Sequence, residues 1–214
     1  MRILLYGGTF DPPHNGHCHN LQAAAAEVKP DRIIVMPAGT PPHKAASGTP
    51  AALRHEMCRA CFEPMAADGR LPALTVSDWE IGRSQRGLPN YTVDTLEMLA
   101  QTHPGAQLFL AVGSDMLLTF TGWRRWQDIL RLATLVCQSR EQGDMHELRR
   151  MADALCAQTP GANPIVLPQQ PAHPLASSQI RTHMQAGGSV EGLVPDGVLA
   201  VMQREGLYRP AEQA

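Results

Sequence analysis

The chain has no apolar run long enough to cross a bilayer, no excess of positive charge and few aromatic residues. Eighteen Lys and Arg stand against 20 Asp and Glu, a formal net charge of −2 over 214 residues. That balance argues against a nucleic-acid binder, whose affinity rests on neutralising phosphates, and an aromatic content of 5% argues the same way. Neither a nucleic acid nor a membrane is expected as a partner. An N-terminal export signal is not visible either: Ile3-Leu4-Leu5-Tyr6 is too short for an apolar signal core and runs at once into Gly7-Gly8. The expectation is a cytoplasmic protein. Cysteine is sparse and odd in number, at 18, 58, 61, 137 and 156, which does not suit a disulfide framework. Cys58 and Cys61 form a C-x-x-C, but no second pair completes a zinc site, so buried helical thiols and no resident metal are expected.

What is present is glycine and proline, 18 of each, and a recurrent alternation of elements. Short apolar runs at Ile3–Tyr6, Ile33–Met36, Leu74–Val76, Leu108–Val112, Leu135–Cys137 and Ile165–Leu167 read as strands. Helical patterns lie between and after them, at Gly16–Val28, Ala51–Ala66, Val93–Gln101, Trp126–Leu132, His146–Ala157, Ser177–Ala186 and Asp196–Glu205. Continuously apolar strands separated by helices predict an α/β fold: a Rossmann-like, doubly wound, mainly parallel sheet with helices on both faces. The length fits one domain spanning 1–214, whose C-terminal helical part, about 175–208, packs at the edge. Ligands of such sheets bind at the carboxyl ends of the strands, where the strand order reverses.

The first strand runs into Gly7-Gly8-Thr9-Phe10-Asp11-Pro12-Pro13-His14-Asn15-Gly16-His17. The glycines allow a sharp turn and a close ligand, and the prolines hold the chain extended until Asn15 or Gly16 opens a helix. The N–H groups and dipole of that helix favour an anion, and His14 and His17, three residues apart, share a face and offer it two imidazole donors. Elsewhere Arg54-His55-Glu56 reads as local ion pairing on a helix, and Glu80 as a partner for Arg83.

This stretch resembles the signature of the nucleotidyltransferase superfamily that carries the H-x-G-H motif. The segments Pro41-Pro42-His43-Lys44, Tyr91-Thr92-Val93-Asp94-Thr95-Leu96 and Gly113-Ser114-Asp115-Met116-Leu117 are similar, in this order, to those of the bacterial nicotinate-nucleotide adenylyltransferases, as is Ser177-Ser178-Gln179-Ile180-Arg181. The likeness runs from Arg2 to Tyr208. It implies adenylyl transfer from ATP to nicotinate mononucleotide, giving nicotinate adenine dinucleotide and pyrophosphate in NAD biosynthesis. It also implies Mg²⁺ carried with ATP rather than held in a protein cage. His14 and His17 are the implied catalytic pair. Gly7, Gly8, Thr9, Phe10, Lys44, Gly113, Asp115, Ser177, Ser178 and Arg181 join them as the implied ATP site. Thr40, Tyr91, Thr92, Trp123 and Arg140 are the implied site for nicotinate mononucleotide. The pattern departs at Ala176, where the family has a hydroxyl, and around Arg140, which lacks the usual R-P-G. Nicotinamide mononucleotide or phosphopantetheine as acceptor, and a non-catalytic nucleotide sensor on the same sheet, are the alternatives; a homo-oligomer is left open.

Overall fold

The computed structural model describes residues 1–39, 48–139, 145–170 and 172–210. Six strands, β1 (Arg2–Gly8), β2 (Arg32–Pro37), β3 (Ala73–Val76), β4 (Gln107–Gly113), β5 (Ala133–Gln138) and β6 (Ile165–Val166), form one sheet in the order β3-β2-β1-β4-β5-β6. Every neighbouring pair is parallel. The chain winds outward from β1 to β3, returns to place β4 beside β1, and winds outward again. The order therefore reverses between β1 and β4, the point where sheets of this kind form their ligand crevice beyond the strands' carboxyl ends.

The helices are α1 (Asn15–Val28), α2 (Ala51–Ala67), α3 (Trp79–Gln85), α4 (Thr92–Thr102), α5 (Ser114–Leu118), α6 (Trp126–Leu132), α7 (Met145–Ala157), α8 (Ser177–Gln185) and α9 (Asp196–Arg204). The short helices α3 and α5, and a 3-10 turn at Phe120–Gly122, lack the periodic apolar face that would announce them in the sequence. The strands explain the two layers. Leu4, Tyr6, Ile33, Val35, Phe109 and Ala111 point to one face, where α1, α2, α8 and α9 contribute Leu21, Met57, Phe62, Ile180 and Val201. Ile3, Leu5, Ile34, Met36, Leu108 and Leu110 point to the other, covered by α4 to α7 with Leu96, Leu117, Ile129 and Leu148. Alternate residues of each strand are thus buried on opposite sides, which is why the strands are apolar without a period of two. The C-terminal helices join the α1/α2 layer; α9 lies against α2, with Gly197 so close to Ala60 that an added Cβ would stand 3.2 Å from its carbonyl oxygen. No helix among the described residues is long and apolar enough to cross a membrane.

Candidate active site

The crevice is built outward from the turn after β1. Phe10 adopts a left-handed backbone, φ 50°, and its ring is buried against Tyr6, Phe62 and His17, with centroids 5.6, 5.5 and 5.0 Å apart. Gly8 lies under that ring, and a Cβ there would meet it at 2.9 Å. Phe10 thus plugs the core, 2% exposed.

His14 is the N-cap of α1, in extended backbone. The His17 N–H donates to His14 Nδ1 at 3.3 Å and the His14 N–H donates to His17 Nδ1 at 3.2 Å. This is a reciprocal capping box made from two imidazoles, where Ser and Glu usually serve. The rings stack, with centroids 3.7 Å apart and planes 27° from parallel. Since each Nδ1 accepts, the hydrogen-bond pattern assigns each neutral ring's proton to Nε2. The pair therefore carries two parallel N–H donors at the N-terminus of a 14-residue helix. Gly16 completes the motif for a steric reason: a Cβ would stand 3.0 Å from His14 Nδ1 and 3.3 Å from His173 Nδ1.

Three elements clamp the turn that leads to His14. Arg181 of α8 donates to the Asp11 carbonyl at 2.6 Å, and Ser177 Oγ donates to the Pro12 carbonyl at 2.8 Å. The hydroxyl of Tyr208, beyond α9, donates to the buried Asp11 carboxylate and accepts from Thr49 Oγ1 at 3.0 Å. Burial, together with that carboxylate, drives the phenol well above its ordinary range. From α2, Arg54 donates to the carbonyls of Thr9 at 2.8 Å and Gly39 at 3.1 Å, tying the ends of β1 and β2 together. Burial pulls the guanidinium down from its usual range, opposed by the nearby Asp11 charge.

Arg54 therefore is not a surface ion-pairing residue, as its neighbours in sequence suggest; it is 3% exposed. Its periodicity was the available signal, because Arg54, Met57, Cys58 and Cys61 stand at i, i+3, i+4 and i+7 on the buried face of α2. Glu56 instead pairs with Arg204 of α9, 2.8 Å away. The expected Glu80–Arg83 pair is also replaced. Arg83 pairs with Asp94 at 3.2 Å, while Glu80 accepts from Thr95 Oγ1 at 2.9 Å. Glu80 is held above the ordinary carboxylate range by burial, against the Thr95 hydrogen bond. Gly39 is pressed into this corner: a Cβ would meet Ser84 Oγ at 2.2 Å, Asn90 Nδ2 at 2.4 Å and the Glu80 carbonyl at 2.5 Å.

The other side of the crevice is the end of β4. Gly113 is its last residue, opposite Gln138 of β5, and is the N-cap of α5. Asp115 is exposed on α5 one turn's reach away, and it is not that helix's cap. Tyr91 caps α4 with its backbone, and Thr92 is that helix's first residue. The Tyr91 ring is covered on one face by the Arg124 guanidinium, 4.5 Å from its centroid. Trp123 is half-buried and leans on Phe120, with centroids 5.2 Å apart. Ser178 is exposed at the start of α8. Thr40, Lys44 and Arg140 lie outside the described residues.

The cytidylyltransferase-like family model matches residues 5–183. A protein of Neisseria gonorrhoeae named "Probable nicotinate-nucleotide adenylyltransferase" is 33% identical over 207 residues, covering 97% of this chain and 98% of its own. Its namesake in Acidithiobacillus ferrooxidans is 34% identical over 217 residues, covering 97% and 95%. Among solved structures, a Plasmodium falciparum nicotinic acid mononucleotide adenylyltransferase complexed with NaAD superposes with a TM-score of 0.73 over 97% of each chain, at 16% identity, which speaks for the fold. With the H-x-G-H pair capping α1 at the strand-order reversal, and with relatives matched along almost its whole length, the chain belongs to the cytidylyltransferase-like family, alongside the nicotinate-nucleotide adenylyltransferases.

Proposed function

We propose that the chain transfers the adenylyl group of ATP to nicotinate mononucleotide, releasing pyrophosphate. The observation that supports this reading is the reciprocal His14–His17 cap, which fixes two imidazoles at the N-terminus of α1, next to the strand-order reversal between β1 and β4. The names of the full-length relatives supply the acceptor.

In this reaction an oxygen of the mononucleotide's 5′-phosphate attacks the α-phosphorus of ATP, and the bond from that phosphorus to the bridging oxygen breaks. The nucleophile is already ionised near neutral pH, so catalysis rests on alignment and on stabilising charge, with no general base and no covalent enzyme intermediate. His14 and His17 donate to the triphosphate as negative charge moves toward the leaving pyrophosphate. Gly7, Gly8 and the backbone of Thr9 and Phe10 line its path. The α8 N-terminus, with Ser177, Ser178 and Arg181, adds a second positive end beside the same turn. Arg181 and Ser177 serve in part by holding the turn itself, through the Asp11 and Pro12 carbonyls. Gly113 and Asp115 suit the adenosine, glycine by close approach and the carboxylate by accepting from ribose hydroxyls. Tyr91, Thr92 and Trp123 suit the pyridine nucleotide: the α4 N-terminus for the nicotinate carboxylate and the indole face for the ring. Lys44, Thr40 and Arg140 keep their sequence-based assignments, to phosphate, base and mononucleotide phosphate. Mg²⁺ enters with the triphosphate as part of the substrate.

The test is pyrophosphate release from ATP and Mg²⁺ with nicotinate mononucleotide, nicotinamide mononucleotide or phosphopantetheine offered separately. Release with the acid and little with the others is expected. Release only with phosphopantetheine, or ATP binding with no release from any acceptor, overturns the proposal.

A further inference from the structure

One group of nucleophiles lies beside the site and has no part in the transfer. Cys18, the residue after His17 on α1, and Cys61 of α2 are 43 positions apart in sequence, yet their sulfurs are 3.4 Å apart in one sulfur–sulfur hydrogen bond. Both thiols are free. A disulfide has a sulfur separation of about 2.0 Å, so closing the bond asks for a relative shift of roughly 1.4 Å between the two side chains.

The two thiols are not equivalent. Cys18 is half-buried, within reach of a small solute, whereas Cys61 is 2% exposed. The hydrogen bond from Cys61 and the positive charge of Arg70 favour the Cys18 thiolate, against a desolvation cost, and Cys18 lies below the ordinary thiol range. Burial, then the bond to Cys18, pushes Cys61 well above it. An accessible, thiolate-prone sulfur backed by a buried, protonated one is the arrangement of an attacking cysteine and its resolving partner. Cys58 does not compete, since it is fully buried and desolvation raises it. Cys137 packs on the opposite face of the sheet.

We propose that Cys18 and Cys61 are a redox-active dithiol, which a hydroperoxide converts to a disulfide stapling α1 to α2 and so switches off the site that begins at His14. In the first step Cys18 takes the terminal oxygen of the peroxide, the O–O bond breaks, and the products are the Cys18 sulfenic acid and an alcohol, or water when the oxidant is hydrogen peroxide. In the second, the Cys61 sulfur attacks the sulfenic sulfur and water leaves. The thiols together lose two protons and two electrons, and the peroxide accepts them. A small dithiol reverses the change. The effect on the site follows from the chain connection: His17 shares its peptide with Cys18, its carbonyl accepts from the Tyr6 hydroxyl at 3.3 Å, and its ring is half of the reciprocal cap. Drawing Cys18 toward α2 shifts all three. The switching, though not the bond, rests on the adenylyl-transfer reading.

The experiment treats the whole protein with hydrogen peroxide, blocks remaining thiols and maps tryptic peptides without reduction, with pyrophosphate release assayed in parallel. Cleavage after Arg2, Arg32, Arg54, Arg59 and Arg70 puts Cys18, Cys58 and Cys61 on separate peptides, 3–32, 55–59 and 60–70. The expected product links 3–32 to 60–70, has lost two hydrogens, and turns over about tenfold or more slowly, as a displacement of this size near reacting groups implies. Dithiothreitol restores the rate. The Cys61→Ser variant is expected to keep the untreated rate, give no linked peptide and leave a Cys18 sulfenic acid that dimedone traps. A link between 55–59 and 60–70, or oxidation of Cys156 with Cys18 and Cys61 unlinked, overturns the dithiol. The expected link with an unchanged rate overturns the switch. A linked protein that releases no pyrophosphate before or after reduction upholds the dithiol and overturns the adenylyl-transfer reading, and with it the switching.

Discussion

Replacing Arg54 with Met tests whether the site depends on one buried cation that binds no substrate in the proposed reaction. The side chains are of similar length, so the volume in α2 is nearly kept, but two hydrogen bonds are lost: those to the Thr9 carbonyl at 2.8 Å and the Gly39 carbonyl at 3.1 Å. Hydrogen bonds to a charged group contribute about 1.5–3 kcal/mol each, and a guanidinium this deeply buried is not screened by solvent. Against that stands relief of its desolvation, the larger influence on its ionisation. Asp11, whose charge the guanidinium offsets, is left less compensated. The balance is a loss of roughly 3 kcal/mol, or about 6–12 °C in Tm for a chain of this size. The same loss frees the turn that positions His14, so kcat/KM for pyrophosphate release is expected to fall by about 10²-fold, the usual consequence of a misplacement near 1 Å. Arg54→Lys separates charge from geometry. An ammonium restores a cation but cannot fork to both carbonyls, so this variant should recover part of the stability and little of the rate. Thermal unfolding and steady-state assays on the three proteins decide it. A Met variant with wild-type Tm and kcat/KM would refute the reasoning, and a Lys variant with the full wild-type rate would show that charge alone matters.

Three further outcomes are expected. His17→Asn keeps an acceptor near the position of Nδ1 but lacks a group at Nε2; turnover should drop about 10²–10³-fold with Tm nearly unchanged, and an undiminished rate would end the role given to the pair. Gly39→Ala places a methyl against Ser84, Asn90 and the Glu80 carbonyl, and since the last is backbone the corner cannot simply yield; a loss of about 1–3 kcal/mol is expected in denaturant unfolding, and a neutral change would contradict the packing. Glu80 has its folded-state ionisation raised by burial, so its contribution to stability is present in acid and is lost as pH rises through that raised value. Glu80→Gln keeps an acceptor for Thr95 and removes the charge, so its Tm relative to wild type should climb from acid to neutral pH; a flat or falling difference would refute the assignment.

The relation of this protein to its sequence divides along a physical line. The six strands were legible because a parallel sheet covered on both faces needs continuous apolar runs, and the positions of Ile3–Tyr6 and Leu108–Val112 follow from that need alone. The short helices α3 and α5 were not: α5 has too few turns to write a period, and α3, as long as α6, has only Trp79 and Ile81 as apolar side chains, at a spacing that marks no helical face. The His14–His17 pair was legible as two imidazoles on one face at a helix start, since spacing in a helix is local geometry. That the two cap each other through Nδ1, with Gly16 kept small to admit the His14 ring, came from tertiary packing. So did the clamp on the turn, where Arg54 of α2, Arg181 of α8 and Tyr208 beyond α9 meet Thr9 and Asp11 through contacts as far as 197 residues apart. The sulfur pair belongs with them: Cys58 and Cys61 drew attention as a C-x-x-C, but the partner of Cys61 is Cys18, 43 residues away. Local spacing determines which chemistry a segment offers to a ligand. Which distant side chain satisfies a buried carbonyl, carboxylate or thiol depends on how the layers pack, and that is decided only when the chain has folded.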